Sequence, residues 1–274
     1  MTTGARLIED IDAARVGSGQ CAIWWLGQHG FAVKMGESVC YLDLFLSRLE
    51  GRLVPSLLGP ETISNATLVC GTHDHADHID RPAWPAIAAA SPQAKFIVPL
   101  LLREKIVSEL HLPPARVEGV DVGITVQFKG ISVTAVPAAH EFLDTDAATG
   151  LHPGLGFIIQ GNGVCLYHAG DTCLYEGMQA TLRQWKIHAA FLPINGRDAQ
   201  RLASGCIGNM TYQEAADLAG SIRPGLTVPT HFEMFAGNSE NPQLFIDYMR
   251  VKYPRLATRL PVHGEMFMVG NNPQ

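Results

Sequence analysis

The apolar positions along the chain fall into short runs of two kinds. Compact apolar or β-branched runs bounded by glycine or polar turns predict strands, first at AIWWLG (22–27), FAVKM (31–35), VCYLDL (39–44) and ATLVCG (66–71). Helical spacing follows in PAWPAIAAA (82–90) and LLREKIVSEL (101–110), with a strand-like AKFIVPL between them. Two more strands flank a turn at Lys129-Gly130, ITVQF (124–128) and ISVTAVPA (131–138). The second half predicts strands at GFIIQ (156–160), VCLYHAG (164–170), AAFLPI (189–194) and LTVPTH (226–231). Thr211 stands three residues before Glu214, a capping box that opens a helix through Ile222. Asn241-Pro242 reads as a cap and first-turn proline for QLFIDYMRVKY. The closing TRLPVHGEMFMV predicts a strand pair or one bent strand.

Strands cluster, helices follow, and the theme repeats. This order suits an α/β (α+β) class with two mixed sheets packed face to face and helices outside. The 274 residues, 47% hydrophobic and 17% charged, supply ample core for a single domain spanning 1–274. No apolar stretch is long enough to cross a bilayer. The opening MTTGARLIED lacks the basic and apolar regions of a secretory signal, so the expected location is cytoplasmic, with no membrane partner. The six cysteines are scattered without C-x-x-C spacing, as expected of small buried hydrophobes in a reducing compartment. The formal charge of −6, with dispersed Lys and Arg, argues against an extended nucleic-acid partner. A homo-oligomer is compatible with this composition.

Residues 71–80 read GTHDHADHID, with three histidines and three aspartates between His73 and Asp80. His73 and His75 are two apart, so extended or turning backbone points both the same way. Asp77 and His78 sit at the start of the next turn. Imidazoles with carboxylates suit a borderline divalent ion, zinc first, then manganese, iron or cobalt. Four ligands in so short a span are too many for one open catalytic site, so two adjacent ions are a natural solution. H-x-H-x-D-H arises by accident on the order of once in a thousand such chains.

This loop after a strand resembles the signature of the metallo-β-lactamase superfamily. Later strand ends match its remaining ligands in order: His140 in VPAAHE, Asp171 in HAGDT and His231 in VPTHFEMF. The resemblance spans roughly 20 to 270 and implies a four-layer αββα sandwich with metals at one rim. It implies His73, His75 and His140 at one metal, Asp77, His78 and His231 at a second, and Asp171 as the bridge. LIEDI (7–11), WWLGQHGF (24–31), YLDLFLS (41–47), LPINGRD (192–198) and IGNMTYQEA (207–215) are similar to the L-ascorbate-6-phosphate lactonase branch. That branch implies one or two Zn or Mn ions, with Fe as a further option, and a small anionic substrate such as a phosphorylated sugar lactone.

Two cationic centres would lower the pKa of a bound water from about 15.7 towards about 7, making hydroxide available at neutral pH. Asp77 would orient it and relay its proton, and Asp171 is the second catalytic candidate. Asp80 fits a helix N-cap, and Asp74 a place behind the ligands or facing solvent. The polar segment 192–210 leaves a strand at the rim and suits a substrate wall. Its Asn195, Arg197, Asp198 and Asn209 are candidate substrate contacts, with Arg197 as an anion clamp. His29, in a turn near the rim, is another. An internal ion pair for Arg197 and a local turn for Asn209 are the competing readings. His168 reads as bonded to a neighbour, His263 as the rival of His231, and Trp24 and Trp25 as core. The leading function is a metal-dependent hydrolase. Phosphodiesterase action on cyclic nucleotides or other small diesters is the second reading, and a non-catalytic metal or ligand sensor the third.

Overall fold

The computed structural model describes residues 2–270. Helix α1 (Gly4–Ala13) precedes β1 (Gln20–Trp25), β2 (Phe31–Met35), β3 (Ser38–Leu42) and β4 (Ala66–Cys70). Then come α2 (Trp84–Ala90), β5 (Lys95–Pro99), α3 (Arg103–Leu110), β6 (Val117–Val120), β7 (Thr125–Phe128), β8 (Ile131–Pro137), β9 (Leu155–Gly161) and β10 (Val164–His168). The chain closes with α4 (Met178–Leu182), β11 (Ala189–Pro193), α5 (Ala199–Ala203), α6 (Tyr212–Ile222), β12 (Thr227–Thr230), α7 (Pro242–Lys252) and β13 (Met266–Gly270).

Two mixed sheets result. The first has the order β13-β1-β2-β3-β4-β5-β6, the second β12-β11-β10-β9-β8-β7. In the first, β3 to β6 run parallel, while β13, β1, β2 and β3 pair antiparallel. In the second, β10, β11 and β12 are parallel and the β7–β10 meander is antiparallel.

The strand period of two sorts side chains between layers. Ile23 and Trp25 of β1 join the core shared by the sheets, beside Val133, Phe157 and Phe191. Ala22 and Trp24 point the other way, to Leu7 and Ile11 of α1 and Trp84 of α2. A sheet covered on both faces needs near-continuous apolar strands, which is why β1 to β4 bury almost every residue. Leu182, Leu218 and Phe245 of α4, α6 and α7 cover the second sheet. The layers are helix, sheet, sheet, helix. Phe31 stacks on Phe191 across the sheet interface, with centroids 4.3 Å apart.

Some elements lie outside the sequence expectation. Helix α1 buries Leu7, Ile8 and Ile11 on one face. Strand β6 reads VEGV, with too few apolar residues to register. Helices α4 and α5 are five residues each, below any periodic signal. The closing segment is one strand, β13, beside β1. The residues before it touch other strands only through single bridges, Trp25 to His263 and Thr227 to Thr258. Both expected caps form: the Thr211–Glu214 box opens α6, and Asn241 accepts from the Gln243 amide on α7. Among the described residues, no helix is long and apolar enough to cross a membrane.

The Phe31–Phe191 stack joins the sheets beneath the rim where β4, β8, β10 and β12 end. Phe191→Ala is expected to lower the stability of the metal-free protein by about 3–5 kcal/mol in urea unfolding. A loss below about 1 kcal/mol would show that the two sheets do not depend on this contact.

Candidate metal centre

After β4 the chain turns tightly. The His78 amide donates to the His75 carbonyl at 3.1 Å, and the Ile79 amide to the same carbonyl at 2.8 Å. The turn presents His73 and His75 to one cluster and Asp77 and His78 to another. His140 follows β8. Its neighbour Ala139 donates to Thr172 Oγ1 at 2.9 Å and accepts from the Cys173 amide at 2.7 Å, which ties this strand end to the Asp171 loop. Asp171 follows Gly170, whose φ is +62°. A Cβ at Gly170 would lie 2.6 Å from the Leu155 carbonyl oxygen, so only glycine fits there. His231 follows β12 with φ +62°, and its amide donates to the Gln28 carbonyl at 2.9 Å.

The two clusters adjoin. His75 Nδ1 lies 2.9 Å from His73 Nε2 and 3.2 Å from His140 Nε2. Nitrogens about 2.0–2.1 Å from a tetrahedral ion would stand about 3.3 Å apart. In the second cluster, Asp77 Oδ2 is 3.7 Å from both His78 Nε2 and His231 Nε2. Asp171 faces both clusters: it belongs with His73, His75 and His140, and its Oδ1 and Oδ2 lie 3.3 Å from His78 Nε2 and 3.2 Å from His231 Nε2. Buried His78 Nε2 and Asp171 Oδ1 have no well-formed hydrogen bond. Buried polar atoms normally find partners. An orphaned nitrogen and an orphaned oxygen facing each other within a set of imidazoles and carboxylates fit divalent ions.

Charge divides the ligands. Burial lowers His73 well below its ordinary range and brings His140 down to about 4. His78 differs: burial would lower it, but Asp171, Asp43 and Asp77 outweigh that and hold it well above. Burial would raise Asp171, yet His231 and His78 keep its carboxyl ionised.

Two residues behind the ligands escaped the sequence reading. Asp43, fully buried just after β3, takes His78 Nδ1 at 2.6 Å, His168 Nε2 at 2.9 Å and both the amide and hydroxyl of Thr72. It fixes the His78 ring so that Nε2 faces Asp171. A carboxylate inside the apolar run VCYLDLF was the available signal. Gln28 is also buried, and its Nε2 donates to Asp77 Oδ2 at 2.9 Å and sits 3.2 Å from His231 Nε2. In the turn GQHG it is the glutamine, not His29, that meets the ligands. His29 is buried behind the second cluster, with its ring 4.2 Å from that of His168, and does not line the pocket. His168 bonds Asp43. His263 packs on Trp25 and leaves the ligand position to His231. Asp80 does not cap α2. Its carboxylate accepts from the Leu46 and Ser47 amides and the Ser47 hydroxyl, pinning the loop after β3, because that loop brings unpaired amides closer than the helix does. Asp74 pairs with Arg81 and Lys105.

The metals would open onto a pocket of about 320 Å³, walled by Leu49, Glu50, Cys206, Ile207, Phe235 and Asn238. The expected substrate residues do not line it. Arg197 gives both terminal nitrogens to Glu214, at 2.6 and 2.7 Å. Asp198 caps α5. Asn195 stands behind the wall, donating to Asn238 at 2.6 Å and accepting from Asn209 at 3.0 Å.

A Beta-lactamase superfamily domain model matches residues 40–232. That match covers most of the chain and contains all seven ligands.

The chain belongs to the metallo-β-lactamase superfamily.

A protein of Methanoculleus marisnigri described as UPF0173 metal-dependent hydrolase is 28% identical over 223 residues, 81% of this chain and 85% of that protein. Among solved structures, the metallo hydrolase Igni18 of Ignicoccus hospitalis superposes with a TM-score of 0.68 at 20% identity, over 92% of this chain and 100% of its own. A possible metal-dependent hydrolase of Veillonella parvula gives 0.70 at 16% identity, over 92% and 99%. The family model establishes the superfamily, and the solved structures show the shared fold. The likeness to the lactonase branch continues to rest on the segments quoted above.

Within this superfamily site, Asp43→Asn is expected to weaken metal binding by about 10- to 100-fold, measured by competition with a chelator, because the His78 ring loses its anionic partner. Unchanged affinity would remove Asp43 from the centre. Ligation requires neutral imidazole. Since His78 is held protonated while His73 and His140 are neutral, filling the second cluster should release a proton at pH 7. Calorimetric titrations in buffers of different ionisation enthalpy detect this, and buffer-independent heats would contradict it.

Proposed function

We propose that the chain is a metal-dependent hydrolase opening a carboxylic ester, most simply a lactone, in a small metabolite. The observation that supports this reading is the convergence of His73, His75, Asp77, His78, His140, Asp171 and His231 from four strand ends beside an open pocket. When bound, divalent ions supply an acidified water and a Lewis acid for the carbonyl oxygen. The chain's own residues do the rest. His73, His75 and His140 would hold one ion and Asp77, His78 and His231 a second, with Asp171 facing both clusters. Asp77, partly exposed, would orient the attacking water and accept its proton while serving as a ligand, and Gln28 donates to it from behind. Structural metal sites are closed and mononuclear, so an open paired centre favours catalysis over sensing.

The lactone form of the proposal comes from the branch resemblance. Its phosphate is less well supported. A phosphate calls for a bidentate or multiple cationic clamp, yet Arg197 is engaged by Glu214 and no Lys or Arg is among the described residues lining the pocket. Charge recognition would fall to the ions, and the ester becomes the defining group.

Zinc- or manganese-loaded protein offered lactones, aryl esters and cyclic nucleotides tests this. Ester or lactone turnover that a chelator abolishes is expected. His75 is exposed, so His75→Ala should fold and lose more than about 100-fold, because even outer partners of metal ligands are worth about 10- to 100-fold. Turnover of diesters alone would replace the ester reading, and no metal-dependent turnover would end it.

A further inference from the structure

Large apolar side chains stand in solvent in and beside the metal pocket. Leu49 is 50% exposed, Phe142 64%, Leu202 59% and Ile207 37%. They come from three separate segments. Leu49 and Ile207 line the pocket itself, and Phe142 stands two residues after the ligand His140. Single exposed hydrophobes need no explanation, but Leu49 and Ile207 at the pocket, with Leu202 in the cavity beside it, form a group that does.

Beyond the wall formed by Cys206 and Ile207 lies a second cavity of about 190 Å³. Both residues face both spaces, and Glu141 of the second cavity adjoins His140 of the first. Leu202 and Gly208 line it too, with Glu141, Arg197 and Asp198 at its sides, and most of the surface it exposes is apolar. Two of its charged residues are neutralised by partners: Arg197 by Glu214, and Asp198 by Arg201. A mostly apolar recess that shares two wall residues with the metal pocket has little to offer a hydrated sugar. It suits a hydrocarbon substituent, whose transfer from water is favourable for every methylene buried.

We infer that the ester is amphiphilic: its reacting carbonyl sits at the metals while an alkyl chain or ring crosses Ile207 and Cys206 into the recess beside Leu202. This rests on the hydrolase reading for the reacting end, but the apolar recess can be tested without turnover. The probes are straight-chain carboxylates from acetate to octanoate, titrated into metal-loaded protein by calorimetry, and the matching aryl esters followed kinetically.

Binding is expected to tighten about fourfold per methylene, with the same trend in kcat/KM for the esters, chiefly through KM. Leu202→Asp and Ile207→Asp replace exposed side chains, so folding should survive, and thermal melting verifies it. Both should flatten the chain-length dependence. Length-dependent binding that the variants flatten supports the recess even if no ester is turned over, in which case the hydrolase reading alone fails. Affinity independent of chain length, or a dependence the variants leave intact, overturns the inference.

Discussion

One buried carboxylate holds the centre together from behind. Asp43 leaves the first sheet after β3 and reaches His168 at the end of β10 in the second sheet, while also holding His78 and Thr72 of the ligand loop. A buried charge is costly unless it is paired and hydrogen-bonded. Burial would raise Asp43, but His78 and His168 outweigh it and keep it ionised. The result couples three segments through one anion, so the position of His78 is tied to the packing of the two sheets.

The ligands depend on that packing in turn. Four strands from two sheets end at one rim, and each delivers its ligands within a few residues of its last paired position. The backbone is forced at several of these points. Gln28, Asp43 and His231 all have positive φ, at 52°, 40° and 62°. Such conformations cost an ordinary residue about 1–2 kcal/mol. They persist because the surrounding strands and hydrogen bonds, such as His231 to the Gln28 carbonyl, leave no relaxed alternative. The aromatic packing of Trp25 on Phe232, with centroids 4.7 Å apart, seats the segment after His231 against the core.

The wall facing the metals has a different character from its floor. The floor is anionic carboxylate and imidazole; the wall is mainly leucine, isoleucine, phenylalanine and a cysteine, with Glu50 and Asn238 among them. Arg197 illustrates how a motif residue can be diverted. Its bidentate geometry matches a carboxylate well, and Glu214, already part of the α6 capping box, supplies one. The arginine therefore fastens the 192–210 segment to a helix.

Much of this was legible from residue order alone. Compact apolar runs located most strands, because a sheet buried on both faces tolerates little else. The ligand side chains were legible because imidazole and carboxylate placed directly after such runs have no packing role there. The capping box at Thr211 was legible because it is closed by residues three apart. What sequence could not reveal was partner choice across long separations. Asp43, His78 and His168 are distant in the chain, and only the docking of two sheets brings them together. The same holds for Gln28 beside Asp77, for Arg197 taken by Glu214, and for the apolar recess behind Ile207. Ligand identity is local chemistry, whereas hydrogen-bond pairing and cavity shape are settled by distances that exist only after folding.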